Sequence, residues 1–545
     1  MPGGLMNLTT YGKENLILSG NPKKTYFKAT YTKCTNFGLQ RFRIDYEGSR
    51  ILNLTTPSIF NFKIPRYAEL LHDTYLCITL PNIYSPFLYD EAGTYSGNKL
   101  IPYEFRWIDE LGSNMIQEVE VHSGGTTLAK YPGEYLSCLV QRDYNDAKKK
   151  LWNKMTGNVE EINDPGSSNG NVNIYPHSMY INESGIQPSI RGRRLYIPLD
   201  AFFCDNSKMA LPLVSLQYQE VTIKITIAPV IDLYTINNVH DVNNGTGLSY
   251  RIRPNPNNID EQMWHFLQAP RDTLASHELY DTTRNDWNAD IHLAATYIFL
   301  GQEERRVFAQ NEHKLLIKQC YTYDHLSVAG SKIVEMESKD LVTNYMWRFR
   351  RSDAKQRNEW SNYTNWAYNN VIPQTINDDL PLDEGLEIPN PNNYHITGTI
   401  GTYDVNQKDI LINMGIVMGG VYRENVMQQE IYNYVEKYNR TLGNARDGLY
   451  CYNFALENSR KHYQPSGGMN VNRFPSVMFE MNTIEPPIDM AGTVVDYICD
   501  TSNNPIGFRK SPGQINQYNF DLRVFEERYN VLVFTSGRVG LMNAR

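Results

Sequence analysis

The chain has 545 residues and a mass of 62.9 kDa, with 41% hydrophobic and 21% charged side chains, a composition that excludes disorder, collagen and extended coiled coil. A net charge of −8 at pH 7 argues against coating nucleic acid through bulk charge, because phosphate neutralisation needs clustered Lys and Arg. At ~150 residues per domain the length suggests three or four domains, or two of large β-sandwich size, and the 55 Asn residues predict many turns.

In chain order, the first 50 residues carry eight basic and three acidic side chains, a mild positive bias of the kind solvated strand faces and loops carry. MPGGLMNLTTYGKEN lacks the basic start and apolar stretch of a secretory signal, so none is expected. Strands are predicted at Tyr75–Leu80 and Ile116–Val121, and a helix over Glu134–Met155, where Leu136, Leu139, Val140, Tyr144, Ala147, Leu151 and Met155 form one stripe. A turn-rich stretch, DPGSSNGN, lies within 160–190, and further strands are predicted at Arg194–Ile197 and over 216–227. In LQYQEVTIKITI, Leu216, Tyr218, Val221, Ile223, Ile225 and Ile227 alternate with polar residues apart from a slip at Gln219–Glu220, which reads as a bulge.

The Asn-, Gly- and Pro-rich segment 229–269 marks the best boundary, and Ala294–Leu300 is the next strand candidate. In NEWSNYTNW, Trp360, Tyr363 and Trp366 fall three apart and read as an aromatic anchor for a loop base. The stretch 369–396 reads as a long loop, and Ile410–Tyr422 is apolar but too short to span a bilayer. A second helix is predicted over Asn425–Leu442, with Met427, Ile431, Tyr434, Val435, Tyr438 and Leu442 on a stripe expected to pack on its own sheet, and Gly443 as C-cap. Later strands are predicted at Tyr450–Phe454 and from about Met469, after the Pro465 and Gly467–Gly468 turn. DLRVFEERYNVLVF reads as two short strands or one bent one. Many short strands between Gly/Pro/Asn turns signal a sandwich or barrel.

The sequence holds no GxSxG, P-loop, GxGxxG or HExxH motif, and no two of the eleven histidines stand at metal-ligand spacing. The acidic cluster Asp378, Asp379, Asp383, Glu384 and Glu387 lacks calcium-loop spacing and reads as a solvated loop. The seven cysteines are scattered without a CxxC and are expected to be free thiols in a reducing compartment. The six N-x-[ST] sequons match chance and carry no information on secretion.

Several segments together resemble the double jelly-roll major capsid proteins of the nucleocytoplasmic large DNA viruses. These are GGLMNLTTYGKENLILSGNPKKTYFKATYTKCTNF at 3–37, AELLHDTYLCITLP at 68–81, NMIQEVEVHSGGTTLAKYPGEYL at 114–136 and MALPLVSLQYQEVTIKI at 209–225 in the first half. In the second half they are FLGQEERRVFAQNEHKLLIKQ at 299–319, RRSDAKQRNEWSNYTNW at 350–366, GLYCYNFALENSRKHYQPSGGMNVNRF at 448–474 and YNVLVFTSGRVGLMNAR at 529–545. At 545 residues the chain is longer than the shorter members, an excess assigned to loops such as 369–396.

The resemblance implies an all-β fold of two consecutive eight-stranded antiparallel jelly rolls, with few short helices and long loops. The expected division is an N-terminal inner-face segment at 1–24, a first roll at 25–228, a linker at 229–269 and a second roll at 270–545 carrying the 369–396 insertion. Segments 369–396 and 160–190 are expected to be exposed and mobile at the outward end. The implied function is structural: a homotrimeric, pseudo-hexagonal capsomer of an icosahedral virion, synthesised and assembled in the host cytoplasm. Neighbouring capsomers, minor capsid proteins and an inner membrane are the implied partners, without sequence-specific nucleic-acid binding. No catalytic, cofactor-binding or metal residue is assigned. The alternative is a β-sandwich carbohydrate-binding or carbohydrate-active protein, which predicts converging carboxylates or an aromatic cleft.

Overall fold

The computed structural model describes residues 2–48, 51–89, 100–179, 185–237, 251–270, 280, 282–369, 407–444, 446–486, 495–499, 505–510 and 518–543. Sixteen of its strands form two units of the same plan. The first uses β1 (Phe37–Ile44), β2 (Ser58–Lys63), β3 (Leu70–Thr79), β4 (Ile116–Ser123), β5 (Thr126–Tyr131), β6 (Arg194–Pro198), β7 (Val221–Ile227) and β8 (His292–Leu300). The second uses β9 (His313–His325), β10 (Ser331–Met336), β11 (Leu341–Arg351), β12 (Leu411–Met418), β13 (Val421–Gln428), β14 (Leu449–Asn453), β15 (Val477–Thr483) and β16 (Phe520–Thr535).

In the first unit β1-β8-β3-β6 form one antiparallel sheet and β2-β7-β4-β5 the other. The second unit repeats this order strand for strand, as β9-β16-β11-β14 and β10-β15-β12-β13. Each unit is therefore an eight-stranded antiparallel jelly roll. Period-two patterning explains the sandwich: in β7 and β15 every second side chain, from Val221 to Ile227 and from Val477 to Thr483, is buried.

The expected boundary needs correction. Strand β8, placed in the second half by a division at 270, lies between β1 and β3 of the first roll, with Phe37 opposite Leu300 and Ile44 opposite Leu293. Nor is 229–269 a free linker: Tyr234, Met263 and Phe266 from it are buried in the first-roll core. A jelly roll needs its eighth strand to complete the first sheet, so the chain stays with the first roll through Leu300 and crosses by helix Gln302–Gln310.

Other local expectations shift for identifiable reasons. The helix expected over Glu134–Met155 is two helices, α1 (Gly133–Asp143) and α2 (Asp146–Thr156), broken at an extended Tyr144. Asn145 caps the second, its side chain accepting from the Lys148 amide at 3.0 Å. At 216–220 the alternation does not continue the strand, because the Tyr218 amide donates to the Gly537 carbonyl (3.1 Å) and the Val539 amide to the Gln219 side chain (2.8 Å). The first four residues of the helix expected at Asn425–Leu442 belong to strand β13, turned back on β12 by Gly419 and Gly420, both at positive φ. The remainder is a π turn, Ile431–Val435, leading into α3 (Glu436–Arg440). Its stripe is also reversed: Tyr432, Asn433 and Lys437 face inward while Tyr434, Val435 and Tyr438 face out.

Segment 160–190 is not uniformly exposed, since Ile162, Ser168, Tyr175 and Ser178 are buried and Tyr175 donates to the Phe105 carbonyl at 2.6 Å. Residues 370–396, with the acidic cluster at 378–387, lie outside the described residues. Cys34, Cys77, Cys138, Cys204, Cys320 and Cys451 are free thiols, and burial pushes Cys77 and Cys451 up to about 11. Thiol titration of the denatured chain is expected to find all seven cysteines free without reductant; a lower count would reveal a bridge.

Candidate functional site

The sequence offers no reaction centre, and no group of three or more metal-ligating side chains occurs among the described residues. The notable construction is instead a charged seam where the first roll meets the outer face of β9-β16-β11. Helix α1, which comes directly after edge strand β5, is buried along most of its length and brings Glu134, Tyr135, Ser137 and Arg142 to that face.

At the start of α1, Glu134 receives three guanidiniums from the second roll: Arg348 (2.5 and 2.9 Å), Arg523 (2.8 Å) and Arg350 (3.6 Å). Burial works against ionisation of Glu134, yet these arginines outweigh it and hold the carboxyl well below the usual range. At the end of α1 the fully buried Arg142 donates to Glu527 (3.1 Å) and Asn344 (3.0 Å), while Asn344 donates to Glu527 at 2.5 Å. The Tyr135 hydroxyl donates to the same carboxylate. Burial opposes the charge on Glu527, but Arg142, Lys318 and Arg460 bring its carboxyl down to about 2.

A third cluster joins Glu110 of the first roll to Arg446 of the second at 2.7 Å, with Ser137 (2.6 Å) and Ser361 (3.0 Å) donating to the same carboxylate. Arg460 reaches back to Asp205 at 2.9 Å. Such buried networks fix one geometry, since a buried charge deprived of its partner is costly. The backbones also meet closely: the Gly443 amide donates to the Arg142 carbonyl at 2.8 Å, and a Cβ there would lie 2.3 Å from the Gln141 carbonyl oxygen.

The aromatic trio of the sequence lies beside this seam. The Trp360 indole donates to the Asp232 carbonyl at 2.9 Å, Tyr363 is buried beneath Arg348 and Arg446, and Lys408 lies over Trp366. Trp360 and Tyr363 thus tie a second-roll loop to the first roll. Sequence reasoning missed the ionic residues. Their signal was present as charges inside strands, RFRR at 348–351 and EER at 526–528, which a half-exposed strand face would also show.

Two surfaces remain open. Residues 2–36 form two helical turns, Met6–Thr9 and Leu16–Ser19, within an extended segment whose Leu8, Ile17, Leu18 and Phe27 are exposed. Strand β13 and the helical turn after it expose a second apolar strip. For a carbohydrate site, the described feature of suitable chemistry is a cavity of about 280 Å³ lined by Asp73, Asp200, Tyr144 and Trp152.

Comparison with known proteins bears on which reading holds. Residues 25–252 match the family model for the N-terminus of major capsid proteins, and residues 304–540 that for the large eukaryotic DNA virus major capsid protein. A major capsid protein of Chrysochromulina ericina virus is 27% identical over 365 residues, 63% of this chain and 56% of that one. The major capsid protein of Paramecium bursaria Chlorella virus 1 is 24% identical over 548 residues, covering 100% of both. The chain spans less than two thirds of the first curated relatives it matches, 56% and 58%. Among solved structures, the PBCV-1 virus capsid quasi-atomic model gives a TM-score of 0.59 at 19% identity, covering 96% of this chain and 100% of that one. The Faustovirus major capsid protein gives 0.60 at 12% identity, covering 94% and 93%. These relatives are structural proteins rather than enzymes.

Proposed function

The chain belongs to the major capsid proteins of large eukaryotic DNA viruses, and from that premise we propose that it is the subunit of a trimeric, pseudo-hexagonal capsomer in an icosahedral shell. The observation that carries the reading is the repetition of one strand order in two rolls held by a buried ionic seam. Two like wall units per chain give six per trimer, and a three-fold head-to-tail contact closes on itself. The buried seam makes each pair of rolls one rigid tile, as a shell element requires.

The partners that suit this role are two further copies of the chain, neighbouring capsomers, and minor capsid proteins or an inner membrane on the inward face. The site of action is the virion, after synthesis in the host cytoplasm. The segment 2–24, with its exposed Leu8, Ile17 and Leu18 and its lysine-rich continuation at Lys23, Lys24 and Lys28, suits an inner-face contact with an acidic neighbour.

Light scattering on the purified protein is expected to give three times 62.9 kDa; a monomer at all concentrations would overturn the reading. Deleting residues 2–24 is expected to leave that trimer intact while lowering the yield of assembled shells. Dissolution into monomers would instead put the segment in the trimer joint.

A further inference from the structure

The loops at one end of the first roll build a pocket that the seam between the rolls does not use. Strand β3 leaves its sheet at that end, where β6 and β8 enter it, with Thr79 opposite Arg194 and Cys77 opposite His292. Asn82 and Tyr84 follow β3, Gln268 follows the helical turn Met263–Phe266, and Arg284, Asp286 and Trp287 lead into β8. Together they line a pocket of about 360 Å³, within the ~300–1,000 Å³ of small-molecule sites.

Its aromatic wall is fixed in advance. The Trp287 indole donates to the Thr79 carbonyl at 2.8 Å and stands edge-on to the buried Trp107, with ring centroids 6.2 Å apart. The Tyr84 amide donates to the Phe266 carbonyl at 2.8 Å, which ties the second ring to the same loops. Such rings offer an apolar plane to the C–H face of a sugar.

The polar groups around that wall keep spare capacity. Asn82 accepts from the Gly192 amide at 2.7 Å through Oδ1, which leaves its NH2 to donate. Gln268 donates from Nε2 to the Thr282 carbonyl at 2.6 Å, which leaves Oε1 to accept. Neither Arg284 nor Asp286 has an ion-pair partner among the described residues. Fixed donors and acceptors beside an aromatic plane suit hydroxyl groups, each of which both donates and accepts.

The charge selects among sugars. Arg191, next to the Gly192 that Asn82 holds, is exposed and has no carboxylate partner among the described residues. Arg191 and Arg284 thus set two guanidiniums against the single carboxylate of Asp286, and a guanidinium meets a carboxylate with two parallel hydrogen bonds. The cavity at Asp73 and Asp200 differs, because Lys148 and Lys461 line it too and its charges balance within the chain.

We propose that this pocket binds an acidic saccharide, a pyranose carrying a carboxylate, with its ring against Trp287 and its carboxylate on Arg284. The N-terminal segment joins the roll at the opposite end, where Phe37 faces Leu300. With that segment on the inner face, which rests on the shell-subunit reading, the pocket opens on the outside of the shell, where it can hold a glycan of another surface.

The experiment is saturation-transfer NMR on the whole purified protein. The probes are the methyl glycosides of glucuronic, galacturonic, mannuronic and N-acetylneuraminic acid, beside those of glucose, galactose and mannose. At least one acidic glycoside is expected to bind, about tenfold or more tightly than every neutral one, as a hydrogen-bonded charge pair allows. Arg284→Ala, at an exposed position, should keep the circular dichroism melt of the wild type and lose that preference. Trp287→Ala should abolish binding; if its melt shows lost packing, Trp287→Phe is expected to bind more weakly while still preferring the acid. Binding of none of the probes, equal binding of acidic and neutral sugars, or a preference untouched by Arg284→Ala overturns the inference. Light scattering on the same sample keeps the two readings apart. A trimer that binds no sugar overturns the pocket and leaves the shell reading standing, while a monomer with Arg284-dependent binding does the reverse.

Discussion

Glu134→Ala is expected to cost the folded chain about 3–5 kcal/mol, the usual penalty for removing one partner of a buried ion pair. The substitution removes the carboxylate that Arg348, Arg350 and Arg523 share. Three guanidiniums would then face one another, with Asp324 on Arg523 as the remaining close carboxylate. Burial and the neighbouring Arg348 already press Arg350 down to about 10 with Glu134 in place. The comparison that isolates the cause is Glu134→Leu combined with Arg348→Met, which replaces the pair with apolar volume and should lose far less than Glu134→Ala. Urea denaturation monitored by tryptophan fluorescence, which reports on the buried Trp347 of β11, measures both. Equal losses would show that α1 is held by shape alone.

Acid should undo the same seam. Glu527 has its carboxyl lowered from 4.5 to about 2, a shift worth about 3 kcal/mol at ~1.4 kcal/mol per unit. Because the folded value is the depressed one, this stability is fully present above pH ~4.5 and is lost as the pH falls towards 2. Glu134 and Glu110 shift in the same direction and add to the loss in that window. Stability measured from pH 7 to pH 2 should therefore be flat at first and then fall steeply below about pH 4.5. Glu527→Gln should start lower at pH 7 and fall less steeply. A wild-type profile still flat at pH 3 would mean these carboxylates are not ionised against arginines in the folded chain.

The strands that read most clearly from the sequence are those with one face in the core and one in solvent. In β7, Val221, Ile223, Ile225 and Ile227 alternate as sequence and as structure, because the outer neighbours Thr222, Lys224 and Thr226 stay part-exposed. Strand β16 is the counter-example. Its 16 residues are one continuous strand paired with β9 on one side and β11 on the other, yet EERYN in the middle breaks the alternation. The break arises because Phe525–Asn530 is buried on both faces, the core on one and the first roll on the other. The same cause hid the seam: Arg348 and Glu527 look like solvent-facing strand charges until a second roll covers them.

Period-two patterning and turn residues are local properties of the chain and pointed to an all-β sandwich or barrel, while the division into two jelly rolls came from the resemblance of the ordered segments to a known family. The capsid family was legible for the same reason. Where one roll ends depends on long-range pairing, since β8 joins β1 and β3 across more than 200 residues and no local pattern marks that pairing. Packing between the rolls, again invisible locally, sets which apolar stripe is core and which is surface. The stripe of α1 is buried because a second roll lies against it, while Tyr434 and Tyr438, equally apolar in sequence, face outward because within one chain no third roll exists to cover them.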